Sequence, residues 1–138
     1  MKKILFIFGT RPEAIKLALL IKELKKNFNV KVCVTTQHKQ MLKQVLKVFK
    51  IKVNYDLNSM KKNQTLGSVS SSILSKMSKV YSLFKPDLAI VQGDTVSAFI
   101  GAYSSFLAGI KIAHIEAGLR TNNLEQPFPE EGMRQLIS

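Results

Sequence analysis

Short apolar runs alternate with longer helical stretches along the chain, and this alternation limits the possible folds more than any other feature. The clearest apolar runs span residues 4–8, 30–36, 87–92 and 111–115. Strands buried on both faces read as nearly continuous apolar runs, and strands separated by helices pair in parallel through right-handed crossovers. We therefore predict an α/β fold with a Rossmann-like parallel sheet, helices on both faces and strand order 3-2-1-4-5.

The segments between these runs carry apolar stripes at helical spacing. Thr10 and Glu13 form a T-x-x-E capping box with Pro12 in the first turn, which is typical of a helix start. Residues 1–138 are expected to form one domain, incomplete at its C-terminus because nothing closes the sheet after the last helix begins. The remaining predicted elements are helices over 12–26, 39–49, 65–84 and 95–108, a short strand over 55–57, and a helix that begins within 129–138.

Charge and cysteine content exclude several classes of protein. The net charge is +12, but the lysines are scattered and no basic stripe is interleaved with aromatic residues, which argues against a nucleic-acid partner. No apolar run approaches the roughly 20 residues that span a bilayer. Cys33 is the only cysteine, so no internal disulfide or cysteine-based metal site is expected. We expect a cytoplasmic protein without a metal centre or a membrane span.

Polar residues follow three strands that the predicted order makes neighbours. Arg11 follows the first strand, Asp94 the fourth, and Glu116 and Arg120 the fifth. Ligands of such sheets bind beyond the carboxyl ends of the strands, so these four side chains are expected on one rim. Carboxylates whose surroundings push their pKa values apart can divide acid and base duties.

Several of the residues at these strand ends also have a simpler structural interpretation, but Arg11 is harder to dismiss because capping does not need it. Thr10 and Glu13 serve as a helix cap, and Asp94 can act as the N-cap of the next helix. Glu116 ends an apolar strand, where an unpaired carboxylate is costly, so a pair with Arg120 or another neighbour is the alternative.

Four further residues have candidate roles. Glu130 and Glu131 favour the first turn of the last helix. His114 lies inside the fifth strand, where a hydrogen-bonded structural histidine is expected. His38 follows the second strand and is a candidate ligand contact.

Five segments, taken together and in order, resemble the non-hydrolysing UDP-N-acetylglucosamine 2-epimerases. The resemblance covers essentially the whole chain. It implies a glycosyltransferase-B-like architecture of two Rossmann-like domains, in which this chain is the N-terminal domain and the second, UDP-binding domain is absent. The five segments are FGTRPEAIK at 8–16, QH at 37–38, GDT at 93–95, HIEAGLRT at 114–121 and PEE at 129–131.

The resemblance also implies an activity. It is the interconversion of UDP-GlcNAc and UDP-ManNAc for cell-surface polysaccharide synthesis, by elimination of UDP across C1–C2 and its re-addition. No cofactor, nicotinamide or metal is expected, and the full-length enzyme is expected to be a homodimer. This chain alone is expected to be inactive or nearly so.

Site residues carry over from the resemblance position by position. Met133 departs from the family, which commonly has asparagine before the arginine matched by Arg134. The implied catalytic carboxylates are Asp94, Glu116 and Glu130. The implied substrate contacts are Gly9, Thr10, Arg11, Arg120, Glu131 and Arg134. The implied regulatory positions, near a second UDP-GlcNAc site, are Gln37 and His38.

Two other functions fit the sequence. The first is the acceptor-side domain of a glycosyltransferase-B-type enzyme, which would need no carboxylates flanking C2 of the sugar. The second is a UDP-sugar-sensing module that binds without turnover.

Overall fold

Five parallel strands form the sheet in a computed structural model, which describes residues 1–35, 39–59, 64–116 and 120–137. The strand order is β3-β2-β1-β4-β5, which confirms the predicted order. The strands are β1 (Lys3–Phe8), β2 (Asn29–Val34), β3 (Tyr55–Asp56), β4 (Leu88–Gln92) and β5 (Lys111–Ile115).

The helices follow the strands as the sequence predicts, with small differences at their ends. Helix α1 ends at Leu24, before the predicted residue 26, because Lys25 to Asn27 close a turn on the backbone carbonyls of Ile21, Glu23 and Leu24. Strand β2 ends at Val34; Thr36, the last residue of the predicted strand, lies outside the described residues. The helices are α1 (Arg11–Leu24), α2 (Lys39–Val48), α3 (Leu66–Phe84), α4 (Val96–Leu107) and α5 (Glu130–Ile137).

Alternate residues of β1 serve two separate cores, one on each face of the sheet. Leu5 and Ile7 pack in the core built with α3 and α4, and both are fully buried. Phe6 and Phe8 pack against α1 and α2 on the opposite face and are fully buried as well. Successive strand residues point to opposite faces, so the central strand is apolar throughout. This arrangement confirms helices on both faces of the sheet.

Threonines cap two of the helices. Thr65 accepts a hydrogen bond from the backbone N–H of Ser68 at 3.0 Å and begins α3. Thr95 accepts from the N–H of Ala98 at the same distance and begins α4. The interpretation of Asp94 as the N-cap of α4 is therefore wrong, and its carboxylate stays available for other contacts.

Helix α1 begins differently. Thr10 occupies the N-cap position, but its side chain makes no capping hydrogen bond to the helix backbone. Its hydroxyl instead donates to Oε1 of Glu13 at 2.6 Å. The predicted capping box is wrong in its threonine half: Oγ1 of Thr10 accepts no helix N–H, and its hydroxyl donates to Glu13.

The described helices include none that is both long enough and apolar enough to cross a membrane.

Candidate active site

The polar turns after β1, β4 and β5 meet at one edge of the sheet around a cavity of about 450 Å³. The cavity is open on one side and joins the first turns of α1 to the turn before α4. It lies beyond the carboxyl ends of the strands, where parallel α/β sheets bind ligands. Its lining residues are Thr10, Pro12, Glu13, Lys16, Gln92, Gly93, Asp94, Thr95, Glu116 and Arg134.

Glu116 presents a carboxylate to this cavity from the end of β5. Nζ of Lys16 lies 2.5 Å from Oε2 of Glu116, and the Gln92 amide donates to the same oxygen. The backbone of Glu116 has φ 60°, a left-handed conformation that costs a non-glycine residue roughly 1 kcal/mol or more. The predicted partner of Glu116 was Arg120 or another neighbour, and the structure supplies Lys16 and Gln92.

Asp94 is held by Arg134. Nε and Nη2 of Arg134 lie 2.8 and 2.7 Å from the same oxygen, Oδ2 of Asp94. The side chains are 27% and 17% exposed, so water screens this pair less than it screens an exposed one. The pair ties α5 to the turn after β4 and places a second carboxylate with its counter-charge on the cavity.

Glu131 is fully buried and its oxygens are engaged within the protein. The backbone N–H groups of Thr121 and Asn122 donate to it at 2.8 and 3.1 Å, and the Gln135 amide donates at 2.9 Å. The Gln135 hydrogen bond, followed by that of Thr121, lowers the pKa of Glu131 to about 2. Glu131 therefore fastens the 121–122 segment to α5, and its predicted contact with substrate stays a prediction.

Gly93 and His114 shape the turn that carries Asp94. Gly93 has φ 74°, a conformation that side chains disfavour. Nε2 of His114 lies 2.7 Å from the Gly93 carbonyl oxygen; a carbonyl only accepts, so Nε2 carries the proton. Nδ1 is buried and has no hydrogen-bond partner among the described residues. The expected structural role is supported at one ring nitrogen only.

Glu13 is the deepest charged side chain on the cavity and is 1% exposed. Its Oε1 accepts from the Thr10 hydroxyl, whereas Oε2 is buried and finds no partner in the described part of the chain. Burial raises the pKa of Glu13 to about 7, against the opposing effect of the Thr10 hydroxyl and of neighbouring groups at Gly9 and Thr95. The carboxyl is thus divided between its neutral and charged forms near neutral pH.

The structure brings together four of the residues predicted for the site. Thr10, Asp94, Glu116 and Arg134 line the cavity. The other predicted residues that the structure describes do not line it. Gly9 is buried beside Thr10, Arg11 and Arg120 are exposed, Glu130 is half-buried at the start of α5, and Glu131 is buried behind the site. Gln37 and His38 lie outside the described residues.

Six of the ten lining residues were not predicted for the site, and two of the polar or charged ones among them left a signal in the sequence. Gln92 is a polar residue at the end of an apolar strand and is 3% exposed. Lys16 follows Glu13 by one helical turn, and residues three apart share a face of a helix. Glu13 was assigned to capping alone, and its burial depends on tertiary packing that the local pattern does not contain.

Within the described residues, no group of three or more histidine, cysteine, aspartate or glutamate side chains is placed to hold a metal ion. The cavity is lined instead by two kinds of charged group, carboxylates and cations. Its carboxylates differ in surroundings, which suits proton transfer in two directions. Its cations, Lys16 and Arg134, are suited to bind a phosphate group.

The parallel sheet and the strand-end cavity, in which two carboxylates each face a cation, define a Rossmann-like α/β protein with a polar ligand site. A family model described as UDP-N-acetylglucosamine 2-epimerase matches residues 22–138. The chain belongs to this family.

Members of this family are similar to the chain both in sequence and in fold. A UDP-N-acetylglucosamine 2-epimerase of Salmonella borreze is 54% identical over 140 residues, covering 100% of this chain and 37% of that protein. A crystal structure of the Neisseria meningitidis enzyme bound to UDP-GlcNAc has a TM-score of 0.94 at 50% identity, covering 98% of this chain and 37% of that one. The Methanocaldococcus jannaschii enzyme in complex with UDP-GlcNAc and UDP has a TM-score of 0.90 at 35% identity, covering 99% and 38%. This chain spans just over a third of the length of these relatives.

Proposed function

We propose that this chain forms the front domain of a non-hydrolysing UDP-N-acetylglucosamine 2-epimerase, which interconverts UDP-GlcNAc and UDP-ManNAc. One observation carries the proposal: Asp94 and Glu116, from two neighbouring strand ends, present carboxylates to the same cavity. Each carboxylate is held by a cation, Arg134 for Asp94 and Lys16 for Glu116. The binding of UDP-GlcNAc by relatives of the same fold supports this choice of substrate.

The reaction needs this combination of groups. C1 of the sugar is an acetal carbon, so the hydrogen on C2 is not acidic by itself. The C1–O bond to UDP breaks while a carboxylate removes the C2 proton, which gives a 2-acetamidoglucal and UDP. A carboxylic acid then returns a proton to the opposite face of C2, and UDP adds back to C1. Asp94 and Glu116 share these proton transfers.

The departing pyrophosphate of UDP must be stabilised by positively charged groups. Negative charge develops on the pyrophosphate as the C1–O bond breaks, and preorganised donors stabilise it best in a site shielded from water. Lys16 and Arg134 line the cavity and supply this charge. The turn at Gly9, Thr10 and Arg11 opens α1, whose free N–H groups also suit a phosphate.

The rest of the proposed machinery is divided between this chain and the remainder of the longer protein. Glu130 is retained as a third catalytic carboxylate, and Arg120 as a substrate contact. The second domain completes the UDP-binding groove, so this chain alone is expected to be inactive or nearly so. The full-length enzyme is proposed to be a cytoplasmic homodimer. The exposed apolar side chains of Phe106 and Leu107 on α4, 68% and 59% exposed, support a surface that packs against another part of the assembly.

Proton NMR with UDP-GlcNAc in deuterated buffer tests the proposal. The chain is compared with a chimera in which it is followed by the remaining sequence of the Salmonella borreze relative. We expect the anomeric signal of UDP-ManNAc and deuterium at C2 only with the chimera. A folded chimera that gives neither signal contradicts the epimerase assignment, and turnover by the chain alone contradicts its dependence on a second domain.

A UDP-sugar-binding module is the second candidate. It is favoured by the pairing of both cavity carboxylates with cations, Arg134 for Asp94 and Lys16 for Glu116, which suits binding of a charged ligand without proton transfer. Saturable binding of UDP-GlcNAc by both proteins, with no exchange at C2 in either, would select this alternative.

A further inference from the structure

His114 reaches from β5 to the turn that carries Asp94. Strands β4 and β5 pair in parallel, with Gln92 opposite Ile115, and β4 ends at Gln92. Nε2 of His114 donates to the carbonyl oxygen of Gly93 at 2.7 Å. The N–H of Gly93 donates to the carbonyl oxygen of Ile115 at 3.0 Å. Two consecutive residues of β5 therefore hold both backbone polar groups of Gly93.

The backbone of Gly93 depends on these two hydrogen bonds. Its φ is 74°, and a Cβ built on it would meet no atom of the described residues within 4 Å, so side-chain packing does not fix its conformation. The carbonyl that His114 binds belongs to the planar peptide between Gly93 and Asp94. The orientation of this peptide sets the direction in which Asp94 leaves the turn. The hydrogen bond from His114 therefore acts on Asp94 through a single peptide plane.

Glu116 is tied to the same place. It directly follows Ile115, and its Oε2 accepts from the side-chain amide of Gln92, the last residue of β4. Asp94 and Glu116 are thus each one residue beyond the contacts that join the ends of β4 and β5. Both carboxylates line the same cavity. Their separation is therefore set by how firmly these two strand ends are held together.

Other contacts hold the surroundings of Asp94 without fixing this peptide. Arg134 binds the Asp94 carboxylate, and Thr95 begins α4 as its N-cap. One hydrogen bond contributes little to net stability, so the fold should survive the loss of the His114 donor. The expected consequence is a misplaced carboxylate in a folded protein.

We propose that His114 is a positioning residue of the site, whose Nε2–H fixes the Gly93–Asp94 peptide and thereby the position of the Asp94 carboxylate relative to Glu116. His114 does not line the cavity, so it acts through Asp94. The effect on catalysis rests on the proposed function, whereas the effect on the turn does not. Proton transfer requires the reacting groups within hydrogen-bond reach, so a small displacement lowers the rate steeply.

Two substitutions separate the hydrogen bond from the polarity of the side chain. In glutamine the amide nitrogen is the same number of bonds from Cα as Nε2 is in histidine, so His114→Gln can keep the donor. In asparagine the amide nitrogen is one bond closer to Cα, so His114→Asn loses the contact. Lys111→Gln, exposed at the other end of the same strand, is the control.

The first test needs no ligand. A long-range ¹H–¹⁵N spectrum of the wild-type chain at pH 7 should show a proton on Nε2 of His114. Amide hydrogen exchange of Gly93 should be at least about tenfold faster in His114→Asn, because a turn held by one hydrogen bond opens more easily than a turn held by two. His114→Gln and Lys111→Gln should exchange within about threefold of the wild type.

The second test uses the chimera with the Salmonella borreze sequence. Deuterium incorporation at C2 is measured against UDP-GlcNAc concentration, per folded protein. In His114→Asn the maximal rate should fall at least about tenfold, while the half-saturating concentration changes less than about threefold. His114→Gln should restore the maximal rate to within about threefold of the parent, which a merely structural histidine does not predict.

The outcomes separate this proposal from the proposed function. An Nε2 of His114 without a proton in the wild-type chain overturns the positioning role even where no variant folds, because the Gly93 carbonyl can only accept. Unchanged Gly93 exchange in His114→Asn, or exchange equally fast in His114→Gln, also overturns it. A parent chimera without exchange at C2 contradicts the proposed function, and the Gly93 measurements then decide the positioning role alone. A folded His114→Asn chimera that exchanges C2 at the parent rate overturns the link to catalysis.

Discussion

Arg134 donates from two nitrogens to one oxygen of Asp94, at 2.8 and 2.7 Å, and this pair anchors the last described helix to the turn after β4. Arg134 also reaches Glu131 at 3.4 Å. The same arginine thus connects a cavity carboxylate with a buried carboxylate that fastens residues 121–122. The integrity of the site and the docking of α5 are therefore coupled.

Replacing Arg134 should destabilise the chain. Arg134→Gln leaves the part-buried carboxylate of Asp94 without its cation, and we expect a loss of about 2 kcal/mol in the free energy of unfolding. Lys26→Gln removes the exposed ion pair with Glu23, in which both side chains are about two-thirds exposed, and should change stability by less than about 0.5 kcal/mol. Urea unfolding of the two variants measures the contrast, and equal effects would contradict the structural role of the Arg134 pair.

Glu13 should make the chain less stable as pH rises. Its folded-state pKa of about 7 lies above the unfolded value of 4.5, so the folded state binds the extra proton between these values. Its contribution is fully present below pH 4.5 and is lost as pH rises through about 7, a change on the order of 3 kcal/mol.

The difference between wild type and Glu13→Gln isolates this contribution. Unfolding free energies measured from pH 4 to pH 8 should show the downward slope in the wild type and a smaller one in the variant. The variant Glu23→Gln keeps the wild-type slope. Parallel curves for wild type and Glu13→Gln would mean that the carboxyl is not held neutral by burial.

Glu131 should make the chain less stable as pH falls, which is the opposite dependence to that of Glu13 and occurs at lower pH. Its pKa is lowered from 4.5 to about 2, first by the Gln135 hydrogen bond, so its stabilising effect is present above pH 4.5 and is lost as pH falls through about 2. Glu131→Gln should remove this part of the acid dependence and weaken hydrogen-exchange protection of the Thr121 and Asn122 amides. Unchanged protection of these two amides would contradict the conclusion that Glu131 fastens the 121–122 segment to α5.

An added side chain at Gly101 should destabilise the protein. A Cβ there would lie 3.0 Å from Cγ2 of Ile7 and 3.2 Å from Cγ1 of Val91, both on fully buried strand residues. Gly101→Ala should therefore cost about 1 kcal/mol or more, although alanine favours a helix. In Gly132→Ala the new methyl group meets open space in α5, so this variant should gain up to about 1 kcal/mol. Thermal unfolding of both variants checks the signs, and a stabilised Gly101→Ala would show that the contact between α4 and the sheet can relax.

The architecture could be predicted because its determinants are local. The apolar residues of β1 alternate between two cores, and apolar stripes at helical spacing define the helices that cover them. The ends of the elements were less predictable. Thr10 stands at the N-cap of its helix, yet its Oγ1 accepts no helix N–H and its hydroxyl donates to the buried Glu13, a placement that the local pattern does not contain.

The site could be predicted in part. Asp94 and Glu116 were found because neighbouring parallel strands end at the same edge of the sheet. Lys16 was missed because its place depends on how α1 packs across that edge. Glu131 and Glu130 look alike in the sequence, but the fold buries one of them and leaves the other half-buried.

The most direct test of the central claim is the rate of deuterium incorporation at C2 of UDP-GlcNAc by the chimera with the Salmonella borreze sequence, compared with its Glu116→Gln and Glu23→Gln variants. If Glu116 takes part in proton transfer, Glu116→Gln should slow exchange at least about 100-fold, while the fold and the rate of Glu23→Gln stay as in the parent. Exchange by a folded Glu116→Gln variant at the parent rate would contradict the assignment of this strand-end cavity as the catalytic site.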